Sequence, residues 1–411
     1  MRIGITSGFD ILLPLGGGAA HALNVSSILS KEYEIIYFPD PQFYAEYRRN
    51  SISLKRHIEN LSQRGILLPK SFDEIMANEY DERRIIELYC DETIDFLFDF
   101  ELKGTLFHEY PFRFIRSKNL DAGVLIQGFA DLNFHLLRYV EDSFTLSILA
   151  RSYRVFLYRV YHYLETFILL HKMESSRNIS IVFIVNGNYE RNVSISHPNA
   201  MVLSPSNGIM NDLLKASPST SPMKRKGEKI DNKVLFFARL FYHKGLFDIP
   251  KILASLSEST RFKLVVAGRF IYAEDEKKFF DLLKKYGVSN SVEYKGYLSD
   301  EELYDEIRTA KVTLYPSHSD SFSMVVSQSL FFGTPVVAYD IAGLSIYKKF
   351  GAVKLVREFD FGGMADAVLE FLKMPDYEKL FDDPEMERFL RSHTWENVAE
   401  QYSKSFRSFK K

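Results

Sequence analysis

With 411 residues, 46% of them hydrophobic, the chain exceeds what one hydrophobic core usually takes up, so two domains of similar size are expected. A net charge of -2 gives no electrostatic ground for nucleic acid as a partner. Cys90 is the one cysteine, which excludes an intrachain disulfide and a cysteine-built metal site and points to a reducing compartment. No uncharged apolar run nears the ~20 residues of a membrane span, and no secretory signal opens the chain.

In chain order, "MRIGITS" reads as a strand, "GGGAAHALNVSSILS" as a helix and "YEIIYF" as a second strand. "IDFLFDF", "AGVLIQG", "ISIVFIV" and "AMVLSP" follow as further strand-like runs. Between them, residues 154–173 form a long aromatic stretch with interspersed charges, read as a core-facing helix rather than one lying on a membrane. "LLKASPSTSPMKRKGEKIDNK" has the Ser, Pro, Thr and Gly of an exposed linker; its Lys224, Arg225 and Lys226 read as a solvated hinge. After residue 230 the alternation is cleaner: "KVLFFA", a helix near 245–257, "FKLVVAG", a helix near 274–286, "VEYKG", a helix from Asp300, "VTLYP", then "SHSDSFSMVVSQSLFFGTPVVAYD". The close, "SHTWENVAEQYSKSFRSFKK", reads as an amphipathic helix with Thr394 as N-cap. This βαβα order predicts α/β domains with parallel sheets.

Three features suit phosphate binding. Gly16, Gly17 and Gly18 follow the first strand and open the first helix, where missing side chains let the backbone approach a ligand. A tight turn explains them equally well, since the run is not a GxGxxG. Arg239 ends the first strand of the second half and Lys244 stands at the mouth of the next helix, so a planar fork and a point charge could meet one diphosphate. In the third, Ser321, Ser323 and the amides around Met324 and Val325 lie at a helix start, with Asp320 just ahead and Gln328 further along the same helix.

"ARLFYHKGL", "LVVAGRF", "VEYKGYLSDEEL", "AKVTLYPSHSDSFSMVVSQSLFFGTPVVA" and "TWENVAEQYSKSF" together resemble the GT-B retaining glycosyltransferases of the family 4 type, the glycosyl transferases group 1. The match is ordered over about residues 232–408 and looser before, where "GGGAAHALNVSSILSKEYEIIYF" and "SPSNGI" stand at the glycine loop and the Asn-Gly turn. The resemblance implies two Rossmann-like domains with parallel sheets facing each other across a cleft. Residues 1–215 would form the acceptor side, 216–231 the linker and 232–393 the nucleotide-sugar domain, with 394–411 packing back on the first.

By resemblance, Arg239, Lys244 and Asp320 are the catalytic set, the two cations meeting the departing diphosphate. Donor binding would involve Gly17, Gly18, Gly268, Tyr297 beside the base, Ser321, Phe322, the amides of Ser323, Met324 and Val325, and Gln328 on the ribose. Asp320 and Gln328 keep the spacing of the family's E-x7-E pair with a shorter first acid and a neutral second. In the first half, Gln127 stands where many relatives have a histidine; His108 and His135 could compensate, though an ordinary surface or core histidine is the simpler reading of each. Ala342-Gly343 is what remains of a Gly-Gly after the strand ending at Tyr339.

The implied activity is metal-independent, retaining transfer of a sugar from a nucleotide-sugar co-substrate to a glycan, lipid-linked or small-molecule acceptor. No cofactor, metal or nucleic acid is expected. The expected location is the cytoplasm, with peripheral contact at the inner membrane face as an option. Three alternatives stay open: a catalytically weak or inactive sugar-nucleotide-binding subunit, an NAD-dependent enzyme, which lacks a GxGxxG and its acid, and an epimerase or phosphorylase on the same architecture.

Overall fold

The computed structural model describes residues 1–13, 16–101, 110–126, 164, 168, 171, 178–185, 200–209 and 228–408. Gln127, His108, His135, Lys224, Arg225 and Lys226 lie outside them, as do residues 216–227 of the linker and all of 154–173 but three positions. The described residues form two units. One takes those up to Gly208 and from His393 on, the other those from Ile209 to Ser392.

The first unit holds a parallel sheet of seven strands: β1 Arg2–Thr6, β2 Glu34–Tyr37, β3 Ile66–Leu67, β4 Phe96–Asp99, β5 Ala122–Ile126, β6 Ile179–Val185 and β7 Ala200–Leu203, in the order β3-β2-β1-β4-β5-β6-β7. The second holds six parallel strands: β8 Lys233–Phe237, β9 Lys263–Ala267, β10 Val292–Gly296, β11 Val312–Tyr315, β12 Val336–Tyr339 and β13 Val353–Val356, in the order β10-β9-β8-β11-β12-β13. Each is therefore a Rossmann-like α/β unit. Strand order reverses at β1/β4 and at β8/β11, and the crevice beyond the strands' carboxyl ends at such a point is where open sheets take ligands.

Why the second sheet forms is plain from its strands. "KVLFF", "VTLY" and "VVAY" are buried along their whole length, the pattern of strands covered on both faces. Polar caps place the helices between them. The Ser299 amide donates to Glu302 Oε2 at 2.8 Å while the Glu302 amide donates to Ser299 Oγ at 3.4 Å, a capping box that starts the helix Asp300–Thr309.

In the first unit, three distant segments meet on one buried ring. His21, in the helix Gly17–Leu29, donates through Nδ1 to Asn207 Oδ1 at 2.6 Å and accepts at Nε2 from the Tyr402 hydroxyl at 2.8 Å. Tyr402 lies on the helix Trp395–Arg407, capped by the Thr394 hydroxyl on the Asn397 amide, which buries Trp395, Val398, Tyr402 and Phe406 in the first unit's core. One donor and one acceptor suit a neutral ring, and burial, only partly offset by Asn207, lowers its pKa to about 4.

A pH dependence follows. The unfolded histidine takes up its proton near 6.5, the buried one only near 4, so stability falls as pH drops through that window, by about 3 kcal/mol at most. Thermal melts between pH 7 and 4 should show this slope, and His21→Gln should flatten it. An unchanged slope in that variant would reassign the effect to carboxylates.

Candidate donor site

Most of the candidate side chains of the second unit lie on loops at the carboxyl ends of β8 to β12. After β8, a single helical turn, Tyr242–Lys244, ends in Gly245, which has φ +76° and so sits in the left-handed region that favours glycine. A Cβ there would meet the Pro316 carbonyl oxygen at 1.9 Å, so the Lys244 turn and the segment after β11 are packed backbone to backbone.

Lys244 Nζ donates to Ser319 O at 2.8 Å, Asp320 Oδ2 at 3.0 Å and the Tyr315 hydroxyl at 3.1 Å. The side chains of Lys244 and Asp320 are 14% and 16% exposed. Burial disfavours the ammonium, but Asp320 and then Tyr315 outweigh it and hold the lysine proton well above its ordinary range. Burial likewise disfavours the Asp320 carboxylate, and Lys244 and the Tyr315 hydroxyl reverse the effect, leaving it below the usual carboxylate range. The Tyr315 hydroxyl is pushed up to about 12, first by burial and then by Asp320.

Asp320 is shared between two tasks. Its Oδ2 takes Lys244 and the Tyr315 hydroxyl, at 2.5 Å, while Oδ1 accepts from the amides of Phe322 at 3.2 Å and Ser323 at 2.7 Å. Ser323 caps the helix Met324–Phe331 through its hydroxyl on the Val326 amide, and it does so at φ +62°, a costly conformation for a residue with a Cβ. The amides of Phe322, Ser323 and Val326 are thus satisfied. Those of Met324 and Val325, the first two of the helix, have no acceptor among the described residues and stand at the positive end of its dipole.

The remaining sequence candidates distribute as follows. Arg239 is half-buried with its guanidinium 5.4 Å from the centre of the Phe241 ring, and among the described residues it has no ion pair. Lys244 is paired with Asp320 across 76 positions of chain. Ser321 and Gln328 are half-buried, whereas the Phe322 ring is 1% exposed and packs on Tyr347, so its side chain belongs to the core. Gly268 has φ +141°, and a Cβ on it would meet the Ala238 carbonyl oxygen at 1.9 Å, which explains the glycine by close approach of two loops. Tyr297 follows β10 and is 78% exposed. Gly17 and Gly18 open their helix in the first unit, where a Cβ on Gly18 would strike the Phe9 ring at 2.1 Å. No three His, Cys, Asp or Glu side chains among the described residues come together as a metal site.

One residue at this edge carried no signal in the sequence. His318, 4% exposed, has Nε2 2.9 Å from Asp248 Oδ2 and Nδ1 2.9 Å from Glu358 Oε1.

Residues 221–382 match the family model described as glycosyl transferases group 1. A D-inositol 3-phosphate glycosyltransferase of Acidothermus cellulolyticus is 32% identical over 147 residues, 34% of this chain and 33% of that protein. The chain spans about 26% to 42% of the length of the curated relatives it matches. Among solved structures, sucrose-phosphate synthase of Thermosynechococcus elongatus superposes with a TM-score of 0.66 at 15% identity, covering 99% of this chain and 98% of that one. Anabaena HepE, solved with UDP and glucose, superposes with a TM-score of 0.63 at 12% identity, covering 99% of each. The family match thus lies on the β8–β13 unit, while the likeness to solved structures runs through both units and is one of fold, two Rossmann-like α/β units of the GT-B kind.

Proposed function

We propose that the chain transfers a glycosyl group from a nucleoside-diphosphate sugar to a hydroxyl acceptor, with retention at the anomeric carbon and without a metal ion. The observation that supports this is that Lys244 is held by Ser319 and Asp320, on the segment that leads into the helix start where the amides of Met324 and Val325 have no acceptor among the described residues. As the bond from the anomeric carbon to the diphosphate breaks, negative charge grows on the leaving phosphate. Positive groups already fixed in a half-buried site stabilise that charge without reorganising. Arg239 supplies a further cation, Gln328 faces the ribose hydroxyls and Tyr297 the base. The acceptor is a glycan, a lipid-linked sugar or a small molecule, and the work is done in the cytoplasm, with peripheral membrane contact as an option. No described helix is long and apolar enough to cross a membrane.

The test is thermal stabilisation by UDP-, GDP- and ADP-sugars followed by product analysis. Ligand at 100 times its Kd stabilises by about 2.7 kcal/mol, so a fitting donor raises Tm by several degrees. Absence of any shift across the panel removes the reading. A second reading, donor binding without transfer, is favoured by one observation: Asp320 has every lone-pair direction occupied by protein groups. Stabilisation without transfer or hydrolysis would select it.

Gln328→Glu is expected to tighten donor binding about tenfold. A carboxylate accepts hydrogen bonds from ribose hydroxyls more strongly than an amide, by ~1–2 kcal/mol. Calorimetric titration of both proteins checks this, and an unchanged Kd would take the ribose away from Gln328.

A further inference from the structure

His318 stands where three loops of the second unit converge. Its backbone amide donates to the His243 carbonyl at 2.9 Å, one residue before Lys244. Its own chain leads through Ser319, whose carbonyl Lys244 holds, to Asp320. Its ring reaches Asp248, beside the N-terminus of the helix Ile249–Ser257, and Glu358, beyond β13. Tyr339 at the end of β12 donates its hydroxyl to the same Asp248 oxygen at 3.0 Å, and Lys251 lies 3.5 Å from the other. The ring stacks on Phe359, centroids 4.6 Å apart, and Phe359 keeps φ +64°, strain the surrounding contacts must sustain.

Both ring nitrogens face carboxylate oxygens at 2.9 Å, and a neutral imidazole has a single N–H. One nitrogen of a neutral ring would point its lone pair at a carboxylate. Only the imidazolium donates to both. Resting on the donor-site reading above, we infer that His318 is a positioning residue for that site: as an imidazolium clamped between Asp248 and Glu358 it fixes the segment 316–323 and the Lys244 turn in the geometry that receives a diphosphate.

The groups facing the ring agree on the direction. Burial works against the charged form, and Asp248 followed by Glu358 overcome it, so the proton is held above the ordinary histidine range. Such a clamp is complete below the ordinary value and is lost as pH rises through the raised one. Among the described residues, the titratable groups bonded to the ring or to its Asp248 partner include Asp248, Glu358, Tyr339 and Lys251, with the Lys244–Asp320 pair on the segment it fixes.

The test uses the full chain and whichever of UDP, GDP and ADP it binds, with Kd measured from pH 6 to 9.5. Wild-type affinity should fall on the alkaline side. His318→Gln should bind at least tenfold more weakly at pH 7 and lose that alkaline limb, and Glu358→Gln should move the limb to lower pH because one counter-charge is gone. The ligand's own ionisation is common to all three proteins and cancels. If His318→Gln melts lower yet keeps the wild-type Kd and pH profile, or Glu358→Gln leaves the limb in place, the ring is merely structural and the inference falls.

Should His318→Gln fail to fold, Glu358→Gln and the histidine imidazole NMR spectrum of the wild type decide. Both nitrogens of His318 protonated at pH 7.5 supports the clamp, and a neutral ring overturns it. A wild type that binds none of the three diphosphates sinks the donor reading, while the imidazole spectrum still reports on the clamp.

Discussion

Replacing Lys244 with alanine is expected to lower turnover with a nucleotide-sugar by about 10²–10³, the loss of ~3–4 kcal/mol typical of removing one preorganised group from a developing anion. The same change also strips Asp320 of its counter-charge. That carboxylate keeps the Tyr315 hydroxyl and two backbone amides, so the stability cost falls at or below the low end of the ~3–5 kcal/mol seen on breaking buried pairs. The two losses can be separated. Asp320→Asn added to Lys244→Ala removes the stranded charge while leaving an amide oxygen for the same backbone donors, so melting temperature should recover. Turnover should not. If the double variant regained activity along with stability, Lys244 would be a scaffold for the loop after β11, and its assignment to the leaving group would be wrong. A single variant that turns over within threefold of wild type would end the assignment directly.

Much of this edge is legible in the sequence, because parallel strands buried on both faces appear as short apolar runs and the residues that end them are polar. "VTLY" followed by "PSHSDSFS" locates the loop after β11 without coordinates, and "FFARLFYHKGL" does the same after β8. What stays hidden is pairing over distance. Sequence spacing suggests Lys244 and Arg239 acting on one anion, whereas the folded chain gives Lys244 to Ser319, Asp320 and Tyr315 and leaves Arg239 over the Phe241 ring. Ser323 reads as an amide donor for a ligand, yet its N–H is spent on Asp320 Oδ1, and the amides without an acceptor among the described residues begin one residue later. Phe322 reads as part of the donor loop, and its ring turns inward onto Tyr347. His318 shows no pattern at all, because its partners are 70 and 40 residues away and a loop histidine has no periodicity to betray it. The two-residue strand β3 fell below what alternation can signal.

Gly343→Ala is expected to abolish tight donor binding while leaving the chain folded. Gly343 follows β12, and the structure gives the reason for a glycine there. A Cβ on Gly343 would lie 2.1 Å from the Asp320 carbonyl oxygen, 2.6 Å from its carbonyl carbon and 2.8 Å from that of Ser321. Those are backbone atoms, which cannot rotate away as a side chain would, so the segment 320–321 has to move. It is the segment that holds Lys244 on one side and leads into the Met324 and Val325 amides on the other. Overpacking of this kind costs ~1–3 kcal/mol, read as a melting temperature lower by several degrees, and a displaced Asp320 should weaken nucleoside-diphosphate binding at least tenfold. Gly351→Ala is the matched control: the added carbon would meet only Leu380 Cδ2, at 3.4 Å, an ordinary contact with the end of a flexible side chain. That control should melt and bind like wild type. If Gly343→Ala also binds like wild type, then the position of the 320–325 backbone does not govern the donor, and the site must be sought on another loop of the same sheet.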